Sequence, residues 1–347
     1  MTNQIDRKTE LQNITFMKCV LMLCVVLGHA FIFWRGGWFA VLTPARESPA
    51  LGILAEYFGF FPIYGFVLAS GYLYAYVRFE RGSYTKFWSF VGNKALRLLV
   101  PYAFVLCAWV FPIAQAFFHY DAKTILQNFV LGKSPAQLWF LPMLFLVFVI
   151  VYPLSKLFQK RFWIGLAVVL VAYGIGVLAP VPNIFQIKRA LQFLPMFWIG
   201  MQLRQKPCTL IKKIHPLIWV GAHLLLFVVY LVLPNNGIIQ KLLFMGTEFV
   251  LHMTGAIMAF SLLEWIGSSC KWQESKVFHF LSARAMGIYL FHQQLIYVLL
   301  YLLNGRVSPY LLSPILFFGS AAGAAGITSL FLLTPVTRIL IGEKAKK

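Results

Sequence analysis

Acidic residues are scarce in this chain of 347 residues: Asp and Glu total 10 against 30 Lys and Arg. Only 12% of the residues are charged and 60% are hydrophobic, against about 25% and 45–50% in an ordinary soluble domain. A mean hydropathy of +0.77 removes a soluble globular enzyme from contention. The five cysteines, Cys19, Cys24, Cys107, Cys208 and Cys270, make no CxxC pair. They fall in apolar runs or on the side expected to be cytoplasmic, where thiols stay reduced. No internal repeat is visible, no His/Cys/Asp/Glu spacing suggests a metal, and no connecting stretch exceeds about 25 residues. That leaves no room for an appended soluble domain.

What is present is a succession of apolar runs, each long enough to cross the ~30 Å hydrocarbon core. The reading is an all-α integral membrane protein, a polytopic bundle of about ten transmembrane helices forming a single domain over 1–347. The expected spans are 14–34, 57–77, 97–118, 138–155, 162–179, 185–203, 215–233, 242–266, 279–303 and 310–337. The first run ends in Phe31-Ile32-Phe33-Trp34 without a small-residue cleavage site, so it is expected to be retained. With the N-terminus inside, 21 Lys/Arg fall on the even side and eight on the other, with Lys18 inside the first span. That bias predicts both termini in the cytoplasm. The net charge of +20 then faces membrane lipid headgroups rather than nucleic acid.

Ionisable residues inside apolar runs are costly and therefore candidates for function. Lys18 and His29 are eleven residues apart in the first span, which places them on one helical face about 16 Å apart. That geometry suits gripping a long anionic cofactor at one end and reacting with its tip at the other. Lys18 serves equally well as an interfacial anchor, and His29 as an interhelical contact. Lys94 and Arg97, an i,i+3 pair at the inner edge, are placed to hold phosphates or to act as ordinary positive-inside anchors. Glu248 and His252 form an i,i+4 pair in the eighth span, where a carboxylate can orient an imidazole. His292 in the ninth span lies beside Gln293 and Gln294. The second span reads Phe60-Phe61-Pro62-Ile63-Tyr64-Gly65-Phe66-Val67-Leu68-Ala69-Ser70-Gly71-Tyr72, for which close helix packing is a sufficient reason. Trp34, Trp38, Tyr57 and Trp139 lie near the expected outer rim, as sugar-binding surfaces or as interfacial belts.

In their order these residues resemble the membrane-bound acyltransferase-3 family. The carriers are Lys18-x10-His29, Lys94-x2-Arg97 followed by Leu98-Leu99-Val100-Pro101-Tyr102, Ser70-Gly71-Tyr72, Trp139-Phe140-Leu141, Phe193-Leu194-Pro195-Met196-Phe197-Trp198-Ile199-Gly200 and Ile288-Tyr289-Leu290-Phe291-His292. The resemblance implies a bacterial inner-membrane enzyme that moves an acyl group, usually acetyl from acetyl-CoA or another acyl-CoA, to a sugar or lipid-linked glycan acceptor, with no metal. It implies that Lys94 and Arg97 bind the CoA phosphates, that Lys18 assists, and that His29 is catalytic. Two positions depart from the pattern. Thr15 stands where the family often has aspartate, and Lys94 keeps the charge of an arginine but not its bidentate fork.

A thioester is already activated and a sugar hydroxyl is a poor nucleophile, so one general base is the main requirement. His29 either deprotonates the hydroxyl for direct attack or first carries the acyl group itself. Glu248, His252 and His292 are the further catalytic candidates. The competing reading is a proton-coupled transporter or flippase using the same buried groups as a proton relay.

Overall fold

The structure, a computed structural model, describes residues 2–36, 38–205, 211, 213–233, 237–269, 272 and 275–344. It is 83% helix, with no strand among the described residues. The helices are α1 (Thr2–Phe31), α2 (Pro49–Gly59), α3 (Pro62–Ala75), α4 (Phe87–Val105), α5 (Phe111–Phe118), the single turn α6 (Ala122–Ile125), α7 (Phe140–Lys160), α8 (Phe162–Leu178), α9 (Ile187–Gln205), α10 (Pro216–Val232), α11 (Ile238–Ser269), α12 (Lys276–Ser282), α13 (Ala285–Leu303), α14 (Pro309–Phe331) and α15 (Pro335–Leu340). Cys19, Cys24 and Cys107 are free thiols, whereas Cys208 and Cys270 lie outside the described residues.

Among the described residues, seven helical stretches are long and apolar enough to cross a membrane: Leu11–Arg35, Pro49–Glu80, Phe87–Phe118, Ala136–Lys160, Gln240–Ser269, Ala285–Leu303 and Pro309–Phe331. Of the other three expected spans, α8 and α10 are apolar helices of 17 residues each. The third, α9, carries Lys188, Arg189 and Arg204 within its 19 residues. Two expected boundaries shift. The ninth span starts at Ala285 rather than 279, because the chain turns at 283–284. The tenth stops at Phe331: Pro335 disfavours helix at the residue before it, and Thr334 instead caps α15 by accepting from the Thr337 N–H at 3.2 Å.

The chain forms two compact units. The first comprises Met1–Val25, Glu56–Tyr76 and Met196–Ser282, and the second Val26–Ala55, Val77–Pro195 and Ala283–Lys347. In the first, α3 packs on α11 and α11 on α10. The glycines of two sequence motifs bring α3 and α9 together there. A Cβ on Gly71 would drive into the Phe197 carbonyl, and one on Gly200 into the Leu68 carbonyl. Tyr72, next to Gly71, accepts a hydrogen bond from Arg204 Nη1 at 2.9 Å. Ser70-Gly71-Tyr72 and Trp198-Ile199-Gly200 are thus two sides of one close helix contact, the role small residues serve in membrane bundles.

In the second unit α13 packs along α14 and α4 along α7. Gly287 permits the first contact, since a Cβ there would collide with the Thr328 side chain. An aromatic and aliphatic cluster of Ala30, Phe33, Phe39, Ile296, Tyr297 and Leu300 joins the end of α1 and the chain after it to α13.

Candidate active site

His29, in the last turn of α1, and His292, on α13, meet in the second unit. The Nδ1 of His29 lies 2.7 Å from the Nε2 of His292, and the rings stack with centroids 5.0 Å apart and 12° between planes. His292 is fully buried, while His29 is half-buried, so the pair opens on the His29 side. The other nitrogen of His292, Nδ1, faces the carbonyls of Ile288 at 3.0 Å and Tyr289 at 2.8 Å. Carbonyl oxygens only accept, so that nitrogen carries the proton. With both rings neutral, His292 Nε2 is an acceptor and His29 Nδ1 must donate to it. This network fixes the tautomer and leaves the lone pair of His29 on Nε2.

The helix turn that carries His292 is held by amides. Gln137 Nε2 donates to the Leu290 carbonyl at 2.9 Å and to Gln294 Oε1 at 2.7 Å, and Gln294 Nε2 donates back to Gln137 Oε1 at 3.1 Å. The Tyr289 hydroxyl donates to the Gln137 carbonyl, and Trp109 Nε1 donates to the Phe291 carbonyl at 3.3 Å. Buried amides are tolerated only when satisfied in this way. The sequence shows Gln294 beside His292, but neither Gln137 nor Trp109 carries a local signal of its role.

After α1 a turn of 3-10 helix, Ile32–Arg35, ends at Gly36, whose φ of 87° suits glycine. The chain then folds Trp38 against His29, with ring centroids 5.6 Å apart and 26° between planes. Trp38 also meets Tyr297 of α13 at 4.9 Å. Asn304, at the end of α13, pins the loop: its Oδ1 accepts from the Ala45 N–H at 3.0 Å and its Nδ2 donates to the Thr43 carbonyl at 2.8 Å. One helix therefore positions both the partner of His29 and the loop that covers it.

The basic pair lies on α4 of the same unit. The Lys94 ammonium sits 3.7 Å from the centroid of Phe148, with Tyr84 at 5.3 Å and Phe90 at 5.5 Å, a cation–π box. The Arg97 side chain is exposed. A cavity of about 300 Å³ opens beside them, lined by Ser83, Thr85, Lys86, Ser89 and Asn93 among others. No side chain caps α4, whose N-cap residue is Lys86. The 80–86 loop is held by the Tyr152 hydroxyl, which contacts the carbonyls of Tyr84 at 2.9 Å and Thr85 at 3.0 Å. Burial raises the Tyr84 hydroxyl's pKa, opposed by Arg97 and Arg81. Glu343 is likewise raised by burial, opposed by Arg97 and Arg338.

The family model described as the acyltransferase domain matches residues 11–333. The chain belongs to the acyltransferase-3 family. It is accordingly an acyltransferase of multi-pass membrane character. No curated protein and no solved structure matches the chain.

The remaining expected residues of this acyltransferase belong to the first unit. Lys18 shares the unbroken α1 with His29 but places its ammonium 5.0 Å from the ring centroid of Phe66. His252 stacks on Tyr64 at 3.8 Å and approaches Phe60 at 5.3 Å. Glu248 is one turn away on α11. His223, which the sequence reading passed over, is fully buried, with Nδ1 3.1 Å from Thr254 Oγ1. The Tyr230 hydroxyl donates to Glu56 Oε1 at 2.8 Å. Of the four catalytic candidates, His29 and His292 form one hydrogen-bonded pair, and Glu248 and His252 lie in a different unit. No group of three His, Cys, Asp or Glu side chains suited to a metal occurs among the described residues.

Proposed function

We propose that this acyltransferase moves an acyl group, acetyl in the first instance, from acyl-CoA to a sugar hydroxyl of a cell-surface glycan or its lipid-linked precursor. The observation that carries the reading is the His29–His292 pair with its tautomer set by the Ile288 and Tyr289 carbonyls. His29 Nε2 takes the proton of the sugar hydroxyl as its oxygen attacks the thioester carbonyl. The resulting imidazolium keeps its Nδ1–H donated to His292. As the C–S bond breaks, Nε2 returns the proton to the CoA sulfur. General-base help of this kind is worth about 10²–10⁴ in rate. Direct transfer needs one such base; a route through acyl-His29 would use the same nitrogen as nucleophile.

The CoA phosphates are assigned to Arg97 and Lys94, with the cavity of about 300 Å³ lined by Lys86, Ser89 and Asn93 at the start of the same helix. In this reading ten helices span a bacterial inner membrane, α8, α9 and α10 joining the seven longer stretches, with both termini cytoplasmic in line with the charge bias.

The experiment compares masses of the surface glycans of the source cell with and without the gene. Loss of one or more acyl increments supports the reading and identifies the acceptor. Unchanged masses, with altered movement of a lipid-linked glycan and no acyl-CoA consumption, would favour the transporter instead.

A further inference from the structure

The reaction centre has a wall that the acid–base chemistry leaves unused. Trp38 lies against His29, 5.6 Å between centroids, and both residues are half-buried. Tyr297, buried behind it, is fixed by its stack on Phe39 at 4.6 Å and by Gln293. Asn304 anchors the loop that carries it. A half-buried indole held between His29 and Tyr297 leaves part of its apolar surface exposed beside the imidazole. A hydroxyl borne on a ring with an apolar face, as in a pyranose, would be placed by such a surface, since aromatic walls supply most of the contact in small-ligand sites and a few polar groups set orientation. An interfacial belt residue needs neither the contact with His29 nor the pinned loop.

We propose that Trp38 forms the acceptor subsite, the platform on which the acceptor's sugar ring rests while its hydroxyl meets His29 Nε2. The proposal rests on the acyl-transfer reading and adds to it the location and chemical class of acceptor recognition. Trp38 is a positioning residue with no part in proton transfer. Losing it weakens ring acceptors more than acceptors without a ring and leaves the donor KM in place.

The test measures acetyl transfer from labelled acetyl-CoA by the full-length protein to a panel of methyl glycopyranosides and, separately, to glycerol, a hydroxyl acceptor with no ring. Trp38→Phe is expected to keep the preference for ring acceptors. Trp38→Leu and Trp38→Met are expected to raise the KM for the preferred glycoside about tenfold, the scale of one aromatic contact. The donor KM should stay as in the unaltered protein, and transfer to glycerol should fall much less than transfer to the glycoside. An unchanged glycoside KM in the two aliphatic variants, or an equal loss on glycoside and glycerol, overturns the subsite while His29-dependent transfer still stands. No transfer to any acceptor by the unaltered protein overturns the acyl-transfer reading and the subsite together. Two aliphatic variants and the intact donor KM separate loss of the platform from loss of the fold.

Discussion

His29 Nδ1 lies 2.7 Å from His292 Nε2, although the two residues are 263 positions apart in the chain. Because the second histidine spends its one ring N–H, at Nδ1, on backbone carbonyls, it acts on the first only as an acceptor. His292→Leu should therefore lower kcat by about 10²–10³ with little change in donor KM, and should distort the pH profile, because the tautomer and the imidazolium lose their partner. His292→Gln, whose amide oxygen can accept from His29, should recover part of the rate. A uniform loss in both variants, tracking the amount of folded protein, would mean that His292 only fills space.

Donor binding is expected to be divided unequally between the basic pair. Arg97 is exposed and Lys94 is boxed by Phe148, Tyr84 and Phe90. Arg97→Ala should raise the acyl-CoA KM by about tenfold or more, the effect of losing one charge-assisted phosphate contact. Lys94→Met should cost less in KM, because its aliphatic stem still packs in the box. Steady-state kinetics with varied acetyl-CoA measure both; a larger KM effect at Lys94 than at Arg97 would reverse the assignment.

The contact between α3 and α9 admits no side chain. Gly71→Ala and Gly200→Ala each push a methyl into a backbone carbonyl on the facing helix, which should cost about 1–3 kcal/mol or more. Thermal unfolding of detergent-purified protein should show a clear fall in midpoint for both. Gly221→Ala, where a Cβ meets nothing within 4 Å, should show none. Equal midpoints for all three would remove this explanation of the two glycine motifs.

Glu343 supplies a pH prediction. Burial raises its pKa above the ordinary 4.5 despite Arg97 and Arg338, so the folded protein favours the protonated carboxyl. Its stabilising contribution is complete below the ordinary value and is lost as pH rises through the raised one. Glu343→Gln should therefore unfold at a slightly higher temperature than the unaltered protein at neutral pH, and the gap should close at acid pH. A lower midpoint for the variant at neutral pH would show that the two arginines outweigh the desolvation.

The single helix through Lys18 and His29 was legible in the sequence, since an apolar run of that length is a local property, and α1 is unbroken through both residues. Seven of the ten expected spans recur as long apolar helices among the described residues for the same reason, with ends decided by capping, as at Thr334 and Pro335. His292 stood out as a buried histidine, but its partner did not, because a contact across 263 residues leaves no periodic trace. The i,i+4 spacing of Glu248 and His252 suggested a catalytic pair; the structure turns the His252 ring onto Tyr64 and places both residues in the unit that lacks His29. Trp38 read only as one of several rim aromatics. Its place against His29 depends on the turn at Gly36 and on Asn304, which spacing does not encode.

The proposed transfer of an acyl group from CoA to a glycan hinges on His29. Its most direct test supplies purified protein with radiolabelled acetyl-CoA and the glycolipid and polysaccharide of the source cell. Label is expected in the glycan fraction and is expected to disappear in a folded His29→Ala variant. No transfer above that variant, across a range of acyl donors, would contradict it.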